Sequence, residues 1–125
     1  MGGKFSSFDK DAAVPEILAA KVNMRRYVAP MILEGGAISV DGEGTLLTTE
    51  SCLLNPNRNP DLTREEVENV MKSFLGVHKI LWLKQGIHES MIDGHVDGVA
   101  GFARSAVAVA SPRSVHTKSG LAYDE

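Results

Sequence analysis

The run Asp93-Gly94-His95-Val96-Asp97 holds the residue types that move protons. An imidazole with a carboxylate beside it holds or transfers a proton near neutral pH. In an extended segment, residues two apart face the same side. His95 and Asp97 would then point into one space, with Asp93 flanking them. Alone, an H-x-D triplet reads more simply as a surface turn with solvated charges. The functional reading gains from a second stretch far upstream, Leu33-Glu34-Gly35-Gly36, which sets a carboxylate before a double glycine, between apolar runs. Cys52 is the only cysteine. Its neighbours Leu53 and Leu54 suggest burial, and no electropositive setting is evident, so it reads as a small core residue rather than a nucleophile. His95, Asp97 and His116 together reproduce the residue types of a two-histidine, one-carboxylate iron site. Such sites usually sit on a jelly roll, whereas this chain reads as two clear helices with few strands. His78, His88 and His116 each read as surface residues.

The elements that must position these groups follow from periodicity. Residues 11–24 read as a helix: Val14, Ile17, Leu18 and Val22 recur at helical spacing, Asp11 is a candidate cap, and Pro15 suits a first turn. Arg25 and Arg26 complement the dipole at its far end. Met31, Ile32 and Leu33 read as a short buried strand broken by Gly35-Gly36. Residues 37–40 and 45–49 read as strands joined by the turn Asp41-Gly42-Glu43-Gly44. Residues 52–60 form an Asn- and Pro-rich loop whose side chains bond to local backbone and hold it rigid. Residues 63–75 carry the strongest helical pattern: Thr63 and Glu66 make a capping box, Val67, Val70, Met71, Phe74 and Leu75 a stripe, and Gly76 a stop. Residues 79–83 (KILWL) read as a strand buried on both faces, and 85–93 as a loop. Residues 98–104 and 106–111 read as a second hairpin. Ser39-Val40-Asp41-Gly42 and His95-Val96-Asp97-Gly98 suggest a weak internal repeat. The fold class is α/β.

Several ordered runs carry a family resemblance: Gly2-Gly3-Lys4-Phe5, residues 9–15 (DKDAAVP), Glu34-Gly35-Gly36, residues 40–50 (VDGEGTLLTTE), residues 52–60 (CLLNPNRNP) and residues 93–97 (DGHVD). In this order they resemble the agmatine deiminase family, related to bacterial-type peptidylarginine deiminases. The match weakens after Ser111. The resemblance implies a pentein β/α-propeller, of which residues 1–125 would form a single partial domain. They would hold about one full ββαβ unit and pieces of its neighbours, with 112–125 a loosely ordered tail. It also implies an internal fragment or a truncated reading frame. Propeller units bury much of their surface on one another, so self-association through exposed edges is expected.

The same resemblance implies hydrolysis of agmatine to N-carbamoylputrescine and ammonia, within putrescine biosynthesis. Asp97 would bind the substrate guanidinium, His95 would shuttle the proton, Glu34 would pair with the same nitrogen system and orient or charge His95, and Arg58 would be a packing or salt-bridge residue rather than a catalyst. No cofactor and no metal are implied. The family's nucleophilic cysteine lies near its C-terminus in a glycine-rich turn, and a second aspartate that grips the substrate lies upstream; neither is found here. Cys52 matches the cysteine before NPNRNP, so the chain alone is expected to be inactive. A truncated, non-catalytic assembly module is the alternative. Two departures, Glu89-Ser90-Met91-Ile92 before DGHVD and Gly101 before Phe102, bear on which guanidine the site prefers.

Composition sets outer bounds. With 125 residues, the chain suits one domain with a modest core. Hydrophobic residues make up 43% and charged residues 23%, ordinary for a globular protein. A net charge of −3 and a pI near 5.8 disfavour nucleic acid and suit a small cationic ligand. No apolar run approaches a membrane span and no signal-peptide pattern is present. A single cysteine fits a reducing, cytoplasmic setting.

Overall fold

The computed structural model describes residues 7–86 and 92–111. Helix α1 spans Asp9–Lys21. A 3-10 turn at Gly35–Ala37 leads into β1 (Ile38–Val40), β2 (Thr45–Thr49), the one-turn helix α2 (Glu50–Leu53), α3 (Arg64–Leu75), β3 (Lys79–Leu83), β4 (Ala100–Arg104) and β5 (Val107–Ala110). The class is α/β. β1 runs antiparallel to β2, and β2 runs parallel to β3, with α3 as the crossover. β1, β2, α3 and β3 therefore follow in the order ββαβ. β4 and β5 form a separate antiparallel hairpin.

Local chemistry explains the elements that were legible. At the first hairpin, Asp41 Oδ1 accepts from the backbone N–H groups of Glu43 and Thr45, both at 2.8 Å. These bonds, the Thr45 one foremost, hold the Asp41 carboxyl below its usual range. Thr63 and Glu66 form the expected capping box at the start of α3, and Gly76 closes it in a left-handed conformation. The inner face of α3 buries Val67 and Met71, whereas Phe74 and Leu75 stay exposed. Glu68 on α3 accepts from Trp82 Nε1 of β3 at 2.9 Å, and the Arg64 guanidinium lies 4.7 Å above the same indole. The helix is thus fastened to its strand by polar contacts at the rim of the core.

That core gathers Ala37, Leu46, Cys52, Leu53, Val67, Met71 and Val77. On the other face of the sheet, Leu47 packs against Val96 and Val99, with Leu83 and Phe102 alongside. β2 is therefore the strand buried on both faces. β3, expected in that role, has one paired neighbour in this sheet and leaves Lys79 and Leu81 exposed.

Other expectations are corrected. α1 begins at Asp9 with Phe8 at the cap position and no side-chain cap bond. Asp11 therefore sits inside the first turn, beside Asp9, where it opposes the positive end of the dipole. Pro15 lies inside the helix and removes a backbone donor there. The stripe Val14, Ile17, Leu18 and Val22 is exposed, and α1 buries no residue. Met31, Ile32 and Leu33 are not a strand. The Asn59 side chain takes the place of a neighbouring strand: Ile32 N–H donates to its Oδ1 at 2.8 Å, and its Nδ2 donates to Ile32 O at 3.0 Å. Residues 52–60 are not wholly a loop, because Thr49 caps α2 by accepting from Cys52 N–H. The second hairpin starts at Ala100, and residues 97–99 form a turn rather than strand. The expected tail at 112–125, together with His88 and His116, lies outside the described residues. Among the described residues, no helix is long and apolar enough to cross a membrane.

Candidate functional site

Glu34 precedes the 3-10 turn in an extended conformation, and its carbonyl accepts from Ala37 N–H. That turn drives the chain under the loop holding His95. The two segments are joined by the backbone bond from Asp97 N–H to Gly36 O, at 3.2 Å. A Cβ on Gly36 would meet His95 Nδ1 at 2.6 Å and Asp97 Oδ2 at 2.7 Å. No residue larger than glycine fits beneath the imidazole and the carboxylate. The loop is also pinned to the end of β2, where buried Thr49 Oγ1 donates to Gly94 O at 2.6 Å. Gly94 takes a φ of 84°, in the region glycine enters most readily. Val96 and Val99, both buried, anchor the other side of the loop.

Glu34 and His95 come together: His95 Nε2 lies 3.5 Å from Glu34 Oε2. His95 is 9% exposed. Its Nε2 is shielded from solvent and makes no hydrogen bond, so the contact with Glu34 is one of proximity. The Nδ1 edge faces the gap over Gly36 that it shares with Asp97. Asp97 is exposed and so within reach of a ligand from solvent. Asp93 departs from the expected arrangement. It does not flank the imidazole; its Oδ2 accepts from Arg58 NH1 at 3.1 Å and from Asn57 Nδ2 at 2.8 Å. A left-handed backbone at Asp93, φ 53°, accompanies this outward aim. The histidine therefore lies between Glu34 and Asp97, not between Asp93 and Asp97.

Arg58 explains how a carboxylate survives at the edge of the core. Its side chain is fully buried. Nε donates to Glu34 Oε2 at 2.6 Å and NH2 to Glu34 Oε1 at 3.0 Å, a bidentate pair. NH1 donates to Asn57 Oδ1 and Asp93 Oδ2, and NH2 also donates to Ile92 O. All five guanidinium donors are thereby used. Burial alone would raise the Glu34 carboxyl, but the bonds and charge of Arg58, with a contribution from His95, hold it below its usual range. Burial likewise works against the charged guanidinium, and the Glu34 and Asp93 carboxylates outweigh it, so Arg58 stays firmly protonated. Arg58 is the structural ion-pair residue that the family resemblance implied. Its pairing with Glu34 joins segments distant in the sequence and has no local signal.

Cys52 is fully buried, and burial pushes its thiol up to about 11, against the pull of Arg58. It is not a thiolate at neutral pH. The described surface also has a hollow of about 390 Å³ lined by Pro30, Ile32, Asp61 and Leu62. Neither Glu34, His95 nor Asp97 lines it, but Arg58, which holds Glu34, does.

Comparison with known proteins bears on this geometry. A family model described as Porphyromonas-type peptidyl-arginine deiminase matches residues 1–122. A provisionally named agmatine deiminase of Shewanella frigidimarina is 50% identical over 103 residues, covering 82% of this chain and 28% of that protein. A solved structure, also provisionally named an agmatine deiminase, is similar with a TM-score of 0.80 at 42% identity, over 86% of this chain and 30% of the other. The agmatine deiminase of Enterococcus faecalis is similar with a TM-score of 0.76 at 40% identity, over 80% of this chain and 28% of that one. The chain thus spans less than a third of the length of these relatives.

Proposed function

This chain belongs to the Porphyromonas-type peptidyl-arginine deiminase family, and on that premise we propose that Glu34, His95 and Asp97 form one side of a site that hydrolyses a guanidinium. The observation that carries the reading is the convergence over Gly36. A buried imidazole lies 3.5 Å from Glu34, and the exposed Asp97 carboxylate shares the gap at its other edge. The overall reaction takes a guanidinium and water to a urea and ammonium. Its substrate is a delocalised cation and a poor electrophile, so a carboxylate must grip it and a thiolate must attack its carbon. Asp97 binds the guanidinium from the solvent side. His95 gives a proton to the departing nitrogen. It then takes one from the water that releases the urea. Glu34, kept ionised by Arg58, favours the imidazolium that the first step requires.

The nucleophile is not Cys52, whose thiol is buried and neutral at working pH. It is supplied by polypeptide other than these 125 residues. Agmatine is the favoured substrate, because the relatives compared bear that activity in their names. The product would then be N-carbamoylputrescine, a step towards putrescine in the cytoplasm. The ββαβ order of β1, β2, α3 and β3 supports a place in a pentein propeller. Partners in this reading are a small cationic guanidine and further propeller units that cover the exposed stripe of α1; a second copy of the chain is one source of such units.

Ammonia release from agmatine and arginine tests the assignment of the nucleophile. The purified chain and its Cys52→Ser variant should both be inactive, because losing a covalent nucleophile costs on the order of ten-thousand-fold or more. Turnover at ordinary enzyme rates that Cys52→Ser abolishes would make Cys52 the nucleophile and overturn the assignment.

A further inference from the structure

Cys52 is the one thiol of the chain, and the reaction proposed above leaves it unused. Yet it lies beside the groups that reaction employs. Its Sγ, a carboxylate oxygen of Glu34 and a ring nitrogen of His95 all lie within 4.8 Å of one another. A second, independent feature marks the same place. His95 Nε2 is buried without a hydrogen-bond partner, and a buried polar atom left unsatisfied is destabilising. A group that bonds to that nitrogen recovers this cost. We infer that Glu34, Cys52 and His95 form a site for one thiophilic divalent cation of the zinc type, held through carboxylate oxygen, thiolate sulfur and imidazole nitrogen.

The donor set suits such an ion. Sulfur selects zinc or cadmium over magnesium and calcium, and three protein ligands leave a fourth position for water. Tetrahedral coordination separates ligand atoms by roughly 3.3–3.6 Å. His95 Nε2 and Glu34 Oε2 already stand 3.5 Å apart, so it is Cys52 whose side chain must close the remaining gap. Arg58 takes one lone pair on each Glu34 oxygen, and a carboxylate oxygen has two. The formal charges that act on Cys52 are Arg58 against Glu34, Asp93 and Asp97, a net negative setting that draws a cation. Binding forms the metal–sulfur bond and breaks the S–H bond, and the proton leaves to buffer. A metal seated there occupies the Nε2 lone pair and takes His95 out of proton transfer. On the deiminase reading this makes the site inhibitory, but the binding itself does not depend on that reading.

The test needs neither agmatine nor turnover, so its failure and the failure of the deiminase assignment are distinguishable. The metal-free chain, kept reduced by a phosphine, is titrated with Cd²⁺ while the ultraviolet thiolate-to-cadmium charge-transfer band is followed. The expected result is saturation at one equivalent, no displacement by a hundredfold excess of Mg²⁺, and no band in Cys52→Ala. The variants His95→Gln and Glu34→Gln, each checked for native circular dichroism, should weaken binding by roughly tenfold or more. Because they keep the thiol, they test the site even where Cys52→Ala folds poorly. No band in the native chain, or a midpoint unmoved in both thiol-containing variants, overturns the inference.

Discussion

Replacing Arg58 with Met should destabilise the chain more than any other single change at the site. The substitution keeps side-chain volume while removing all five donors. Glu34 loses bonds of 2.6 and 3.0 Å, and Asp93 loses one of 3.1 Å but keeps Asn57 Nδ2 at 2.8 Å. The Glu34 and Asp93 side chains are only 17% and 16% exposed, so water compensates them poorly. Breaking a buried pair from one side costs about 3–5 kcal/mol, a large share of the ~5–15 kcal/mol that holds a small domain folded. Arg58→Lys keeps the charge but not the fork, and should cost about 1.5–3 kcal/mol through lost charge-assisted bonds. Urea unfolding followed by circular dichroism measures both. Adding Glu34→Gln to Arg58→Met should recover about 0.5–3 kcal/mol, because the orphaned charge is gone. The pH dependence has a fixed sign. The carboxyl of Glu34 is held below its usual value of 4.5. Its contribution is full above that value and is lost as pH falls through the lower, folded value. In Arg58→Met, where burial acts on that carboxyl without the opposing Arg58 bonds and charge, the Glu34 share of the acid loss should vanish or reverse. An Arg58→Met chain within 0.5 kcal/mol of the native one, with an unchanged acid limb, would refute the role given to this ion pair.

Other changes probe separate parts of the structure. Gly36→Ala would force its Cβ against His95 Nδ1 and Asp97 Oδ2; it should displace the His95 ring, seen as shifted imidazole resonances by NMR, and weaken guanidine binding. Thr63→Ala removes a cap bond at α3 and should cost about 1 kcal/mol by urea unfolding while leaving ligand binding unchanged. Cys52, fully buried with its thiol pushed up to about 11, should react with a disulfide reagent at pH 8 only as fast as the chain opens; rapid labelling of the native chain would contradict the burial.

Features written into contiguous residues were legible in the sequence. Thr63, Glu66 and Gly76 bounded α3, and Asp41 marked the hairpin turn, because capping and turn bonds reach only a few residues. Periodicity found α1 but could not show that Val14, Ile17 and Leu18 would stay exposed. Apolar composition suggested a strand at residues 31–33 and double-sided burial for β3. In the first case the Asn59 amide supplied the bonds a strand would have given. In the second, sheet order put β2 in the middle. The proximity of Glu34 and His95 was expected from a family resemblance rather than from any pattern, since no local rule spans such a separation. Asp93 looked like a partner of His95 because it lies two residues away; a left-handed backbone turned it to Arg58 instead. Cys52 was read as a core residue, which it is, while its approach to Glu34 and His95 depends on the capped turn of α2 and carries no sequence signal.

The central claim is that Asp97, beside the Glu34–His95 pair, binds a guanidinium from solvent. It is tested most directly by titrating the chain with agmatine and following the His95 imidazole resonances, in the native protein and in Asp97→Asn. The account predicts saturable shifts in the native chain that vanish in Asp97→Asn, with the variant still folded. Absence of any shift in the native chain, or an identical isotherm in both proteins, would contradict it.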